Sequence, residues 1–313
     1  MKRSVTAAWA ALGVPAFLAC APVRGQDVPS RQGVMSLDTG RIFYEVVGSG
    51  DPIVVVHGGP GLDHNYLRPG LDVLASSHTL IYYDQRGTGR SDVPVDSAHI
   101  NMAAFVSDID ELRQVLGYDQ VTVLGHSFGG LIALAYARAH PEAVKALILM
   151  DTAEPGQRFK TEAARRARAA RTPEDSVELA ELVASPGYAA HDAATLAEIY
   201  RVAYRSTFLD PRRIGDLNLK LLPLTARNGP EVARLLGGEM ADVDWWPELP
   251  SLDVPTLVVQ GRADPMPLAM ARALVEALPR AQLAVLDSGH FPEIEDPSGL
   301  VAAVSNFLTQ LSR

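Results

Sequence analysis

Residues 121–130 read VTVLGHSFGG, and their interpretation decides the fold. Residues 121–124 form a short β-branched apolar run, of the kind presented by a strand buried on both faces. Residues 131–138 place Leu131, Leu134 and Ala135 at the spacing of a packed helix. Between the two stands Ser127, with Gly125 and Gly129 two positions to either side. A strand that turns this sharply into a helix holds the residue at the turn in a strained conformation, and the flanking glycines leave space for close backbone approach. The serine Oγ is thereby lifted above the sheet at a helix N-terminus, where amide dipoles favour developing negative charge. Ser127 is read as a nucleophile.

On the N-terminal side, the runs 41–47, 53–56 and 79–83 are strand-like. The second ends in His57-Gly58-Gly59-Pro60-Gly61, a turn whose main-chain N–H groups can point into a cavity, as an anion-stabilising loop requires. His57 and His64 are read as loop histidines with structural roles. DQRGTGRS follows at 84–91, where an Asp and an Arg are expected to brace the turn by ion pairing and backbone hydrogen bonds. Asn101 should cap a helix that carries Phe105, Ile109, Leu112 and Leu116 and ends at Gly117.

On the C-terminal side, another strand-like run occupies 144–150, after which the β-period disappears up to residue 250. Ala-, Arg- and Glu-rich stretches there predict helices over 161–170, 173–183, 193–204 and 230–236. The basic run Arg165, Arg166, Arg168 and Arg171 reads as a solvated helix face. Strand character returns at 255–260, followed by Asp264 in GRADP, and at 282–286, followed by His290 in SGHFP. A closing helix over 297–311 has Asp296 as its N-cap. Asp264 and His290 each lie on a loop just past a strand, so Ser, Asp and His follow in that order. In such a set the histidine takes the hydroxyl proton and the carboxylate holds the imidazole. Asp151, just past the 144–150 run, competes for the acid's place.

HGGPG at 57–61, DQRGTGRS at 84–91, NMAAFVSDIDELRQVL at 101–116 and GHSFGGLIALAYARAHPEAV at 125–144 together resemble the branch of the α/β-hydrolases that contains proline iminopeptidases. The resemblance runs from about residue 35 to 150 and again from 254 to 310. It implies an α/β-hydrolase fold: a mostly parallel eight-stranded sheet flanked by helices, with a helical cap inserted after strand 6 and no cofactor. The core would then comprise 26–150 and 251–313, with the cap at 151–250. It also implies an oxyanion hole built from the N–H groups of Gly59 and Phe128, and a free amino terminus held by cap carboxylates beside an apolar pocket. Glu154, Glu231 and Glu239 are candidates for that contact, and Trp245 and Trp246 for the pocket wall. One departure matters: His126-Ser127-Phe128 stands where the iminopeptidases usually have Gly before the nucleophile and Trp after it. GHSFGG is widespread among esterases, lactonases and C–C hydrolases. A serine aminopeptidase for small N-terminal residues, a carboxylesterase or lactonase, and a weakly catalytic ligand-binding protein all remain open, the last opposed by the complete Ser127, Asp264, His290 set.

Composition narrows the partners. The chain has 313 residues, 47% hydrophobic and 21% charged, enough for one large α/β domain with an insertion. Lys2 and Arg3 precede an uncharged Ala-rich run, so residues 1–25 are expected to be a signal peptide for export, too short to span a bilayer. Phe17-Leu18-Ala19-Cys20 also approximates a lipobox, which would place a lipid anchor on Cys20. Cys20 is the only cysteine, so a chain cleaved after it has no thiolate chemistry. Loss of Lys2, Arg3 and Arg24 with that segment moves the formal charge from -9 to -12, which disfavours nucleic acid and anionic lipid. No His-Glu-x-x-His, Cys/His cluster or Gly-Lys-Ser/Thr loop appears, so a resident metal or bound nucleotide is not expected. The substrate should be a small molecule or short peptide.

Overall fold

The computed structural model describes residues 30–311. The expected signal segment and Cys20 lie outside the described residues. Eight strands form one sheet: β1 (Ser30–Leu37), β2 (Gly40–Gly48), β3 (Asp51–Val56), β4 (His78–Tyr83), β5 (Val121–His126), β6 (Val144–Met150), β7 (Thr256–Gly261) and β8 (Ala281–Leu286). Their spatial order is β1-β2-β4-β3-β5-β6-β7-β8. β2 pairs antiparallel with β1 and β4, and every later pairing is parallel. Central strands are buried along most of their length because helices cover both faces. In β3, Val54 and Val56 join the core beneath α1 (Met102–Val115) and α2 (Phe128–Ala139), while Ile53 and Val55 join the opposite core. β1 is an edge strand with mostly exposed side chains, so it offers no apolar run and sequence patterning passes over it.

The order reverses around β3, since the chain goes from β3 outward to β4 and then returns to place β5 on β3's other side. Such a switch point opens a crevice at the C-terminal ends of the two neighbouring strands. Val56 pairs with Gly125 there, so the loop after β3 and the turn after β5 are forced together. The two stretches that sequence singled out separately therefore meet.

Between β6 and β7 lies the helical cap, with α3 (Lys160–Ala170), α4 (Pro173–Val183), α5 (Ala193–Arg205) and α6 (Pro223–Glu239). α7 (Leu268–Ala277) and α8 (Pro297–Leu311) complete the flanks of the sheet. Asn101 caps α1 by accepting from the Ala104 N–H, and Asp296 accepts from Gly299 N at the start of α8. One helix is longer than its pattern predicts: α6 starts at Pro223, and Pro230 lies inside it. Pro230 follows Gly229, whose backbone lies against Gly61 of the β3 loop so closely that a Cβ on either would strike the other's chain. That contact, with Thr225 Oγ1 donating to Asp63 at 3.1 Å and Asn228 Nδ2 donating to Gly87 O at 3.0 Å, docks the cap on the core.

The DQRG turn is braced through two aspartates rather than one Asp–Arg pair. Arg86 reaches away to Asp108 on α1, with two parallel bonds of 2.7 Å, and both side chains are buried. Asp84 instead takes the His64 ring at 2.6 Å and the Arg90 N–H at 2.8 Å. His64, read from sequence as a loop histidine, is 1% exposed and sits between Asp84 and Glu45.

Candidate active site

Ser127 stands at the β5–α2 turn with φ 55 and ψ -122, a conformation that non-glycine residues adopt only under strain. Packing holds it there: a Cβ on Gly125 would strike the Gly129 carbonyl, and one on Gly129 would strike the Val56 carbonyl. The Ser127 carbonyl accepts from Gly130 N and Ala153 N, each at 3.0 Å, so the first turn of α2 and the start of the cap both fix the elbow.

His290, on the loop after β8, brings Nε2 to 2.9 Å from Ser127 Oγ and Nδ1 to 2.9 Å from Asp264 Oδ2. Asp264, on the loop after β7, is 1% exposed and also accepts from Met266 N at 2.8 Å and Gln260 Nε2 at 3.1 Å. Burial alone would raise its carboxyl, but the His290 imidazole, the Asp151 acid and the Met266 N–H hold it below the ordinary value. The three side chains predicted from separate loops form one hydrogen-bonded chain.

Asp151 is the fourth member of this cluster. Its Oδ1 accepts from Gly261 N at 2.8 Å and Gln260 Nε2 at 3.1 Å, so one amide is shared with Asp264. Its buried Oδ2 has no donor within reach. Burial, followed by the Asp264 charge, pushes the Asp151 carboxyl well above the carboxylate range. Ligating atoms of Asp151, Asp264 and His290 lie within 4.8 Å of one another, close enough for a metal ion. Here Nδ1 of His290 and Oδ2 of Asp264 are already bonded to each other, and an ion would have to break that bond.

The glycine-rich loop after β3 lies against the elbow, with Gly58 facing the Ser127 Cβ. Gly58 N donates to Tyr66 Oη at 2.7 Å, whereas the N–H groups of Gly59 and Phe128 meet no acceptor among the described residues. His57, fully buried and depressed to about 4 by that burial, accepts from Gln85 N at 3.1 Å and has a structural place.

A small apolar cavity of about 180 Å³ opens over Ser127 and His290. Its wall comes from Ala153, Ala167, Tyr204 and Thr207 of the cap and from Pro265 and Met266 beside Asp264. Arg166 departs from the solvated face predicted for the basic run. Its guanidinium is half-buried and donates to the carbonyl oxygens of Asp264 and Pro265, both at 3.1 Å, so that α3 clamps the acid loop.

The candidate substrate contacts separate. Glu154 adjoins Ala153 of the cavity wall, with Oε1 accepting from Phe159 N and from Trp246 Nε1 while Oε2 is buried without a partner. Glu231 pairs with Arg234 on an exposed face of α6, and Glu239 accepts from Met102 N at 2.8 Å, at the first turn of α1. Neither reaches the cavity. Trp246 packs on Phe159 and Arg158 within the cap, and Trp245 lies under Arg138 of α2 at 4.8 Å; neither lines the cavity.

A family model for the alpha/beta hydrolase fold matches residues 51–297. A proline iminopeptidase of Heyndrickxia coagulans is 27% identical over 291 residues, spanning 90% of this chain and 99% of that relative. The solved structure of the Mycobacterium smegmatis proline iminopeptidase has a TM-score of 0.69 at 24% identity, covering 90% of this chain and 98% of that one. A thermophilic esterase from Thermogutta terrifontis has a TM-score of 0.66 at 25% identity, with 90% and 99% covered. Likeness of these two kinds together reports the shared architecture.

Proposed function

The chain belongs to the alpha/beta hydrolase fold family, and from that premise we propose that it is an exported serine hydrolase, an aminopeptidase that releases N-terminal proline or another small residue. The observation that carries this reading is the chain of 2.9 Å contacts from Ser127 through His290 to Asp264 beneath a small apolar cavity. Ser127 Oγ attacks the substrate carbonyl while His290 Nε2 takes its proton, and the Gly59 and Phe128 N–H groups receive the oxyanion. His290 then returns the proton to the leaving amine. Water, deprotonated in the same way, hydrolyses the acyl-enzyme. Export rests on residues 1–25, and an anchor at Cys20 belongs to the same proposal.

Two features support a free amine as the recognised group: the proline iminopeptidase relatives and the orphaned Oε2 of Glu154, one residue beyond the cavity wall. One observation favours ester or lactone substrates instead, namely that no carboxylate except Asp264 lines the cavity itself. The deciding experiment is kcat/KM on prolyl and alanyl arylamides, their N-blocked forms and short acyl esters. The aminopeptidase reading expects the free amines to win, and Glu154→Gln to raise their KM while leaving ester hydrolysis unchanged. Activity on esters alone sinks it. Ser127→Ala should abolish turnover of every substrate with the fold retained; surviving activity would remove the nucleophile assignment.

A further inference from the structure

His126, the residue that departs from the iminopeptidase elbow, is 1% exposed, and its ring does not face the cavity. Instead it lies in a chain of three bonds, each 2.7 Å: Gly58 N to Tyr66 Oη, Tyr66 Oη to His126 Nδ1, and His126 Nε2 to the carbonyl oxygen of His290. With the imidazole neutral, only one arrangement of protons satisfies all three. The Gly58 amide can only donate, so the Tyr66 oxygen accepts. The one proton of a neutral ring must sit on Nε2, facing the His290 carbonyl, which can only accept, so the phenolic proton goes to His126 Nδ1.

We propose that His126 is a positioning residue which, through Tyr66, locks the oxyanion loop and the His290 loop into register with the nucleophile elbow. The inference rests on the hydrolase reading above. Its geometric basis is that each end of the chain terminates on backbone: Gly58, next to the oxyanion donor Gly59, and His290 itself. The His290 N–H is held at the same time by the Thr207 carbonyl of the cap at 2.9 Å. Both main-chain polar groups of the general base are thus fixed, one by the cap and one by the elbow. Aromatic packing holds the chain in place, since Phe291 contacts the rings of Tyr66, His126 and Phe208.

Neutrality of the ring is a condition of this arrangement, because a second proton on Nδ1 would confront the Tyr66 donor. Burial, with the neighbouring His290, depresses His126 to about 3, and burial also lifts the Tyr66 phenol well above its usual range. A glycine before the nucleophile has no side chain to make either bond, so proteins with Gly at this place must fix the two loops by other contacts.

The test combines kinetics with ¹⁵N NMR of the full chain. In wild type, a long-range ¹H–¹⁵N spectrum should show one histidine as the neutral Nε2–H tautomer, unchanged from about pH 5 to about pH 8, and lost in His126→Gln. Tyr66→Phe keeps the ring and removes the bonds; it should lower kcat, and the rate at which a fluorophosphonate labels Ser127, by about tenfold or more, with KM within about threefold. His126→Leu should do the same, and His126→Gln, whose amide can still donate toward the His290 carbonyl, should regain about tenfold over leucine. The inference is overturned if Tyr66→Phe matches wild type, if the glutamine and leucine variants are equal, if the loss falls on KM alone, or if the ring is charged or Nδ1-protonated at neutral pH. Should His126→Leu fail to fold, Tyr66→Phe and the wild-type spectrum still decide. Failure of the hydrolase reading looks different: wild-type Ser127 would resist the fluorophosphonate and no substrate would turn over, whatever the tautomer.

Discussion

Asp151 offers a perturbation whose effect can be worked from the structure. As a neutral acid it accepts from Gly261 N and Gln260 Nε2 through Oδ1 and carries its proton on the unpartnered Oδ2, and an asparagine can reproduce that pattern with its carbonyl and amide. Asp151→Asn should therefore keep kcat/KM within a few-fold. Asp151→Ala leaves the Gly261 N–H without an acceptor at a buried site, which costs about 1–3 kcal/mol, and removes a neighbour of Asp264, so it should lose both stability and activity. The pH dependence gives a sharper readout. A carboxyl whose folded pKa is raised keeps its proton while the unfolded chain releases it, so the folded state loses stability as pH rises from the unfolded value of 3.8 toward the folded one. One retained proton gives a slope of about 1.4 kcal/mol per pH unit. Glu293, raised by burial to about 8, adds a similar slope, but it is present in wild type and variant alike. The difference in unfolding free energy between Asp151→Asn and wild type, from denaturant titrations at about pH 5.5, 6.5 and 7.5, should thus shift in favour of asparagine at each step. A difference independent of pH would show Asp151 ionised. A loss of activity in the asparagine variant as large as in Asp264→Asn would make Asp151, rather than Asp264, the acid of the triad.

Two other predictions follow from packing around the same centre. Arg166→Ala removes both bonds from α3 to the acid loop and should reduce kcat/KM by about tenfold, with lysine recovering only part because a single ammonium cannot span the Asp264 and Pro265 carbonyls; full recovery by lysine would reduce the clamp to simple charge. Gly129→Ala drives a Cβ into the Val56 and His57 carbonyls, backbone that cannot rotate away, and should cost about 3 kcal/mol, or about 6–12 °C in Tm by calorimetry. A Tm unchanged within about 1 °C would mean the elbow relaxes freely.

Sequence exposed what depends on local pattern. The buried runs of β3, β5 and β6 are continuous in apolar residues because both faces are covered, and the bounds of α4 are marked by the Thr172 capping box and Pro173. β1 escaped because an exposed edge strand needs only backbone partners, which β2 supplies along its whole length. Because a proline usually starts a helix, the sequence places the start of α6 at Pro230, whereas Pro223 starts it and Pro230 occupies the interior. The fold was thus legible wherever burial dictates composition, and illegible where tertiary contact alone dictates it.

The site divides along the same line. Ser127, Asp264 and His290 were readable because each must leave the end of a strand on a loop of restricted shape, and strand order then brings those ends together. The residues that hold these three side chains in place carry no such mark. Arg166 belongs to a run of arginines whose other members are exposed, and only the approach of α3 to the acid loop separates it from them. Glu231 and Glu239 share charge and helix with one another, yet one lies in a surface pair and the other caps α1, so charge in the cap did not identify a contact. His126 and Tyr66 are sixty residues apart, and their bond exists because β3 and β5 are neighbours. Chemistry that acts on substrate is confined to a few side-chain types at strand ends, but the polar groups that position it can come from any element passing nearby. The signal that could have found them is the same in each case: a polar residue that the topology buries and that must find a partner there.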